Sequence, residues 1–103
     1  MVKNGKKNYK QFDCFELENG QIGVLVNYRK LPGHEEKVYE GMMIYDKNDL
    51  FSRKDSSELN GDMEDIRFRD IKNRDVEYLG HFNYMIDLVR VLEFRNWRKV
   101  NGR

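Results

Sequence analysis

The sequence is poor in cysteine, proline and long apolar runs. Cys14 is the only cysteine and Pro32 the only proline among 103 residues. A single cysteine excludes an internal disulfide, and no apolar run is long enough to cross a bilayer. No apolar leader follows the basic N-terminal residues, so we expect a cytosolic protein that does not bind membranes.

An excess of charge of one sign is also absent. Lys and Arg together number 19 and Asp and Glu number 18, which leaves a net charge of +1. No global field therefore attracts nucleic acid or an anionic surface. The charges are unevenly placed, because residues 1–10 and 95–103 hold bases without acids, whereas 46–65 is mainly acidic. We expect a dipolar surface.

The spacings that bind metals are missing. The two histidines, His34 and His81, stand far apart, and the sequence has no HxxxH, HExxH or CxxC motif, which argues against a transition-metal site. The segment from Asp46 begins like a calcium loop, but Leu50 replaces a ligand and Phe51 replaces the required glycine. We expect no metal.

Signs of catalysis are missing as well. Cys14 has no cation beside it in sequence to lower its pKa, so it is expected to be a packing residue rather than a nucleophile. The run from Gly20 to Gly23 precedes a strand, whereas phosphate-binding loops open a helix. We expect neither enzymatic activity nor a cofactor.

The strongest structural signal is a hairpin from Phe12 to Tyr28. Two short apolar runs flank Asn19-Gly20, and Asn-Gly in this position is typical of a type I′ turn, whose two central residues both need positive φ. Gly23 in the second run predicts a bulge or a close approach of another segment.

Later segments give weaker signals. Residues 38–45 predict a third strand, and alternation at 66–69 and 76–78 predicts two more. The segment 29–37, which holds the proline, is expected to be a long exposed loop, and the acidic stretch 46–65 is expected to consist of loops and turns. Residues 1–8 are expected to form a flexible basic arm.

The segment 84–94 fits two patterns. As a strand it places Tyr84, Ile86, Leu88 and Leu92 on one face. As a helix it forms a stripe of apolar residues, with Asn83 as a possible N-cap. The β-branched content and the lack of a capping box favour the strand. The tail 95–103 then either packs Trp97 on the domain or frays.

These segments together predict one mainly β domain over residues 9–103. The expected architecture is a small SH3-like barrel or a related compact β fold, with a long acidic insertion and possibly one C-terminal helix.

Residues 13–25 (DCFELENGQIGVL) resemble the first hairpin of SH3-like barrels of the KOW type, in which a strand, a glycine-containing turn and a second glycine before a β-branched strand recur. The long acidic middle of the chain departs from compact KOW modules. Together with Asp-Leu-Val-Arg-Val at 87–91, this opening is similar to small accessory proteins encoded by phages of Gram-positive bacteria. The resemblance implies non-catalytic binding in the host cytoplasm, including inhibition of host defence proteins.

Two functional classes remain. Cations flank aromatic residues at 28–30, 67–69 and 95–99, a pattern suited to base stacking beside phosphate contacts. The near-neutral total charge and the absence of an RNP1 motif argue against nucleic acid. Aromatic and methionine residues on a dipolar surface favour a protein interface. We expect a protein-binding module, with nucleic-acid binding as the alternative and a homodimer also open.

The candidate contact residues lie in two segments of the chain, the proline-bearing segment and the basic tail. They are Arg29, Lys30 and His34 in the first, and Arg95, Trp97, Arg98 and Lys99 in the second. Their loss is expected to weaken binding and to leave thermal stability nearly unchanged, except at Trp97, which could be structural.

Overall fold

The computed structural model describes residues 8–30, 34–52, 59 and 61–101, and at residues 30 and 34–36 it describes the backbone alone. The expected basic arm at 1–8 lies outside this part except for Asn8. The strands are β1 (Asp13–Glu16), β2 (Ile22–Lys30), β3 (His34–Tyr45), β4 (Asp62–Asp65) and β5 (Glu77–His81). The helices are α1 (Lys47–Phe51), a 3₁₀ helix (Phe68–Asn73) and α2 (Met85–Val100).

The five strands form one antiparallel sheet in the order β4-β3-β2-β1-β5. The first strand therefore lies inside the sheet, next to its edge, and the last strand in sequence, β5, pairs with it rather than with β4. The prediction of a mainly β domain is confirmed, and a helix follows the sheet at the C-terminal end of the chain.

The predicted first hairpin is present, but its turn is of another type. Cys14 pairs with Val24 and Glu16 with Ile22. The amide of Gly20 donates to the carbonyl of Leu17 at 2.9 Å, and of the loop residues only Gly20 has positive φ, at 86°. A three-residue loop with glycine in the left-handed region matches a type I turn followed by a bulge, so the predicted type I′ turn is wrong.

The predicted loop at 29–37 is also wrong. β2 runs to Lys30 and β3 starts at His34, so the two strands leave only residues 31–33 between them, outside the described part. The Pro-Gly signal lies within these three residues, whereas the flanking residues 29–30 and 34–37 belong to strands. Tyr28 and Tyr39 pair across the strands with ring centroids 5.7 Å apart, and such aromatic pairs stabilise neighbouring strands.

The acidic stretch 46–65 contains two regular elements instead of loops alone. The Asp46 carboxylate accepts the amide hydrogen of Asn48 at 2.8 Å and caps α1, because a short acidic side chain satisfies a free amide at a helix start. β4 then pairs with β3 from Gly41↔Asp65 to Ile44↔Asp62. Residues 53–58 and 60 of the predicted insertion lie outside the described part.

The strand predicted at 66–69 is wrong, whereas the one predicted at 76–78 is confirmed as the start of β5. Phe68 and Ile71 are both buried three residues apart in the 3₁₀ helix, the spacing at which its side chains eclipse. The Glu40 carboxylate accepts the Phe68 amide hydrogen at 2.8 Å and fixes the start of this helix.

The segment 84–94 is helical, so the preferred strand interpretation is wrong. α2 extends to Val100 and therefore includes most of the predicted tail. Leu88, Val89 and Leu92 are buried, which is the stripe of the helical alternative. Tyr84 occupies the N-cap position without a side-chain hydrogen bond, so Asn83 is not the cap. Burial of an apolar stripe outweighs the weak β preference of its branched residues.

Both faces of the sheet are covered. One face carries a cluster that includes Phe15, Leu25 and Met42 and packs against the 3₁₀ helix. The other carries Cys14, Ile22 and Val24 and packs against α1 and α2. Since successive strand residues point to opposite faces, apolar residues on both sides of β1 and β2 match this arrangement.

Gly23 lies at a close approach of neighbouring side chains, one of the two predicted reasons for a glycine here. A Cβ atom at this position would contact Met42 Sδ and lie 3.1 Å from Leu17 Cδ2. Because Met42 is fully buried, a larger residue would force a shift in the core.

Ion pairs connect the elements at one end of the sheet. Glu16 of β1 contacts Lys47 of α1 at 2.8 Å and Arg95 of α2 at 3.8 Å. Arg95 also lies 2.7 Å from Glu77 of β5. One carboxylate of β1 therefore connects both helices to the sheet.

No helix in the described ranges has the length and apolar character needed to span a bilayer.

We expect Leu92→Ala to destabilise the protein by about 2–5 kcal/mol, because it opens a cavity between α2 and the sheet. Urea unfolding at unchanged slope measures this. Lys99→Ala, at an exposed position in the last turn of the same helix, is the control, and it is expected to change stability by less than about 0.5 kcal/mol. Equal stability of the two variants would contradict the packing of α2.

Candidate binding surfaces

The seven residues predicted from the sequence lie at two distant places. One group ends β2 and begins β3, and the other occupies the last two turns of α2. The groups are Arg29, Lys30 and His34, and Arg95, Trp97, Arg98 and Lys99. Arg95 contacts Glu16, which pairs with Ile22, and Lys30 lies eight residues further along β2, about 26 Å away at the rise of a strand. The structure does not bring the groups together.

The first group lies at the end of a projecting ribbon. β1 pairs with β2 only at residues 22–24 and β4 pairs with β3 only at 41–44. Residues 27–30 and 34–40 therefore form a two-stranded extension, here called the β2–β3 ribbon. Its register shifts after Arg29↔Val38, so that Lys30 pairs with His34. An extra stretch on one strand of this kind bends and twists a ribbon.

A cleft of about 740 Å³ runs beside the ribbon. Its floor is partly apolar, with Tyr28, Tyr39 and Ile66, and Val38 on its wall is 50 % exposed. The Lys37 ammonium lies 5.1 Å from the centre of the Tyr39 ring, and the Tyr28 hydroxyl donates to Asp65. The two tyrosine rings are thus held in place by charged neighbours.

The rim of this cleft carries both signs of charge. Lys37 and Arg67 are basic, whereas Glu40, Asp65 and Asp70 are acidic. Carboxylates beside the aromatic floor repel phosphate groups, and a mixed rim around an aromatic centre is typical of protein interfaces.

A second cleft, of about 390 Å³, shares Glu40 and Arg67 with the first and is completed by Asn8, Tyr9, Phe68 and Arg69. Phe68 is only 6 % exposed and belongs to the core. The Arg67-Phe68-Arg69 sequence therefore does not offer an aromatic ring for base stacking, and its arginines are the charged neighbours of a core residue.

The second predicted group divides by its surroundings. Arg95 contacts Glu16 and Glu77 and connects α2 to the sheet. Trp97 is 55 % exposed and stacks at 6.2 Å on Phe94, which is 59 % exposed. The Arg98 guanidinium lies 5.9 Å from the Phe94 ring. Trp97, Arg98 and Lys99 are exposed, and no observation tests their predicted role in binding.

A buried carboxylate lies near the opposite end of β1. Asp13 has no exposed surface, and its oxygens accept the Lys10 amide hydrogen at 2.9 Å and the Tyr78 hydroxyl at 3.3 Å. His81 Nδ1 lies 3.1 Å from Asp13 Oδ1. The adjacent Phe12 has a φ of 75°, an uncommon conformation that costs free energy unless its surroundings hold it.

Cys14 is a packing residue, as predicted. It is 1 % exposed and its thiol donates to the Phe12 carbonyl at 3.4 Å. Burial, assisted by the charge of Asp13, raises the pKa of the Cys14 thiol to about 12. The thiol is therefore protonated at neutral pH, and the thiolate is the form that reacts.

In the part of the chain that the structure describes, no three His, Cys, Asp or Glu side chains converge as a metal ion would require. Asp46, the first residue of the calcium-like segment, acts as the cap of α1.

Sequence reasoning missed the ribbon cleft and the buried carboxylate. The alternation of Val38 and Tyr39 was visible as part of a strand, but the position of the cleft depends on where β4 ends. Asp13 carried no sequence signal, because a single aspartate in a strand gives no indication of the three partners that surround it in the fold.

No protein-family model matches the chain, and no curated protein or solved structure is significantly similar to it. The resemblance to KOW-type hairpins and to phage accessory proteins stays a prediction.

We expect the Cys14 thiol to react with Ellman's reagent at pH 8 at least about 100-fold more slowly in the folded protein than in urea. Adding a second cysteine, Lys72→Cys, at an exposed site provides the control, since that thiol should react at once. Fast reaction of both thiols would show that Cys14 is accessible.

The same thiol has a consequence at high pH. The unfolded thiol ionises above about pH 9, whereas the folded thiol stays protonated to about pH 12. Stability contributed by Cys14 is therefore complete below pH 9 and is lost as the pH rises through this window. The difference in free energy of unfolding between wild type and Cys14→Ala, measured by urea unfolding, should become smaller between pH 8 and pH 11. A difference that stays constant with pH would contradict the raised pKa of the Cys14 thiol.

We expect Asp13→Ala to cost about 3 kcal/mol or more, because it leaves the Lys10 amide, the Tyr78 hydroxyl and His81 without their acceptor. Asp13→Asn should cost less, since its amide keeps one oxygen acceptor. Asp62→Ala on exposed β4 is the control, with an expected change below about 0.5 kcal/mol in urea unfolding. A similar small change for Asp13→Ala would contradict the role of the buried carboxylate.

Proposed function

We propose that the protein is a non-catalytic, cytosolic protein-binding module that holds its partner in the cleft beside the β2–β3 ribbon. The observation that carries this proposal is the cleft itself, which combines the Tyr28–Tyr39 pair, a half-exposed Val38 and a rim of both charges.

The ribbon supports the proposal energetically. A two-stranded extension is marginally stable when nothing covers it, and it leaves Val38 and the tyrosine pair partly accessible. A partner that covers these residues removes apolar surface from water and supports the ribbon at the same time. Arg29, Lys30 and His34 belong to the far end of the ribbon, and in this proposal they contact the periphery of the partner.

The charges select the class of partner. An interface with two bases and three acids around tyrosines can match a protein surface by alternating ion pairs, which favour the correct orientation. A nucleic-acid backbone would meet repulsion from Glu40, Asp65 and Asp70.

Nucleic-acid binding by an SH3-like, KOW-type protein is the second candidate. It is favoured by Arg67 and Arg69, which flank the smaller cleft, and by the opening hairpin within a five-stranded antiparallel sheet. An SH3-like barrel is the finer fold class that would go with it. The burial of Phe68 weakens this candidate, since stacking needs an accessible ring.

The resemblance to phage accessory proteins extends the first proposal. The partner would then be a host defence protein, and binding would block its activity without any chemical reaction. Expression of the chain in a bacterium that carries such a defence system should restore plating of a sensitive phage, and Val38→Glu should abolish the effect.

We expect Val38→Glu and Arg29→Glu each to weaken partner binding about tenfold or more, because a charge enters the apolar wall or reverses at the ribbon. The immobilised protein is first used to capture a partner from a lysate of the organism that encodes it. The purified partner is then titrated calorimetrically with wild type and variants.

Lys72→Glu, an exposed change on the 3₁₀ helix, is the matched control and should leave binding unchanged. Melting temperatures within about 2 °C of wild type show that the variants are folded. Recovery of no stoichiometric protein, together with salt-dependent binding of single-stranded or duplex oligonucleotides, would overturn the proposal in favour of the second candidate.

A further inference from the structure

The outward side of α2 carries a second apolar stripe. At 3.6 residues per turn, Ile86, Arg90, Phe94 and Trp97 lie opposite the buried stripe. Ile86, Phe94, Trp97 and the neighbouring Val100 are 40 %, 59 %, 55 % and 77 % exposed. The core of the domain already uses the other side of the helix, so packing within the chain does not account for these residues.

The stripe is ordered rather than scattered. Phe94 and Trp97 stack with their planes 19° apart, and Arg98 covers part of Phe94. A cleft of about 440 Å³ opens beside the C-terminal end of the stripe, lined by Phe51, Trp97 and Val100 among others. Contiguous apolar surface with an adjoining cleft is typical of an interaction site.

The charges of α2 differ in sign between its two ends. Asp87 lies in the first turn, and Arg98 and Lys99 lie in the last. Two copies of this helix side by side in parallel would place like charges together. In antiparallel orientation Asp87 of each copy would lie beside Arg98 of the other, and the helix dipoles would also oppose each other favourably.

We propose that this stripe binds a second copy of the same chain, with the two α2 helices antiparallel and the two-fold axis between Glu93 and Phe94. This register places Arg90 opposite Trp97 of the partner subunit, where a guanidinium can lie over the indole. It brings the two Phe94 rings together at the axis. It also places Ile86 at the end of the helix where the partner's cleft opens.

The aromatic contact surface is modest. Four half-exposed aromatic rings supply roughly 400 Å² of it, about a third of the roughly 1,200 Å² at which specific interfaces begin. The two Glu93 side chains lie near the axis on the other flank, and their like charge weakens the pair. The dimer is therefore of micromolar rather than nanomolar affinity.

Sedimentation velocity over a series from about 1 to 500 μM tests the proposal on the full chain. Wild type is expected to shift from 12.5 kDa toward twice that mass, with a dissociation constant in the micromolar range. Trp97→Ser should weaken association about tenfold or more, whereas Lys37→Glu on the ribbon should leave it unchanged. A single monomeric species at all concentrations would overturn the proposal, as would a dimer that folded Trp97→Ser leaves intact.

A charge exchange tests the orientation. Asp87→Arg and Arg98→Asp should each weaken the dimer several-fold, because each places like charges side by side across the interface. The double variant should recover most of the loss, since the pair is then restored with its signs reversed. Circular dichroism confirms that each variant is folded. Failure of the double variant to recover would exclude the antiparallel arrangement.

Discussion

The buried Asp13 carboxylate is the interaction on which the architecture depends. Its partners include groups from different parts of the chain: Lys10 precedes β1, while Tyr78 and His81 belong to β5. A carboxylate without access to water is tolerated only when its oxygens are well bonded. The requirement to satisfy its oxygens therefore fixes the N-terminal segment, β1 and the edge strand β5 relative to one another.

Aromatic side chains pack around the Asp13 carboxylate and limit the movement of its partners. Tyr9 lies 5.1 Å from Phe15 in an edge-to-face arrangement, and Tyr78 contacts both rings at 6.0 and 5.5 Å. The hydroxyl of Tyr78 reaches Asp13 while its ring fills the core. The same side chain thus serves both the polar contact and the apolar cluster, and the strained backbone at Phe12 is held between them.

Local patterns predicted the parts of the fold that depend on neighbours in sequence. The first hairpin, the strand at 38–45 and the beginning of β5 follow from β-branched and aromatic alternation. The helix at 85–100 was the less favoured of two interpretations, because its apolar stripe and a strand face share Leu88 and Leu92. Only the presence of an apolar sheet face that needs covering decides between them. The sequence named the candidate residues but not their positions relative to one another. The distance between the two groups, the ion pairs of Arg95 and the cleft beside Val38 all depend on which strands and helices pack together across the fold.

The apolar surface that the core does not bury determines where the protein can bind other molecules. Both faces of the sheet are used for internal packing. Among the described residues, the exposed large apolar side chains are Val38 on the ribbon, Met63 on β4, Tyr84 at the start of α2, and Ile86, Phe94, Trp97 and Val100 on α2. The ribbon and the last turns of α2 lie at different ends of the sheet, so contact at one leaves the other accessible.

The strand order has a further consequence for how the chain reaches this state. β1 lies between β2 and β5, yet β5 is more than sixty residues later in sequence. During synthesis the hairpin of β1 and β2 can form early. The other edge of β1 has no strand to pair with until residues 77–81 have left the ribosome. Nascent chains that stall before that point present an apolar, unpaired edge, and their fate depends on chaperones rather than on the stability of the finished sheet.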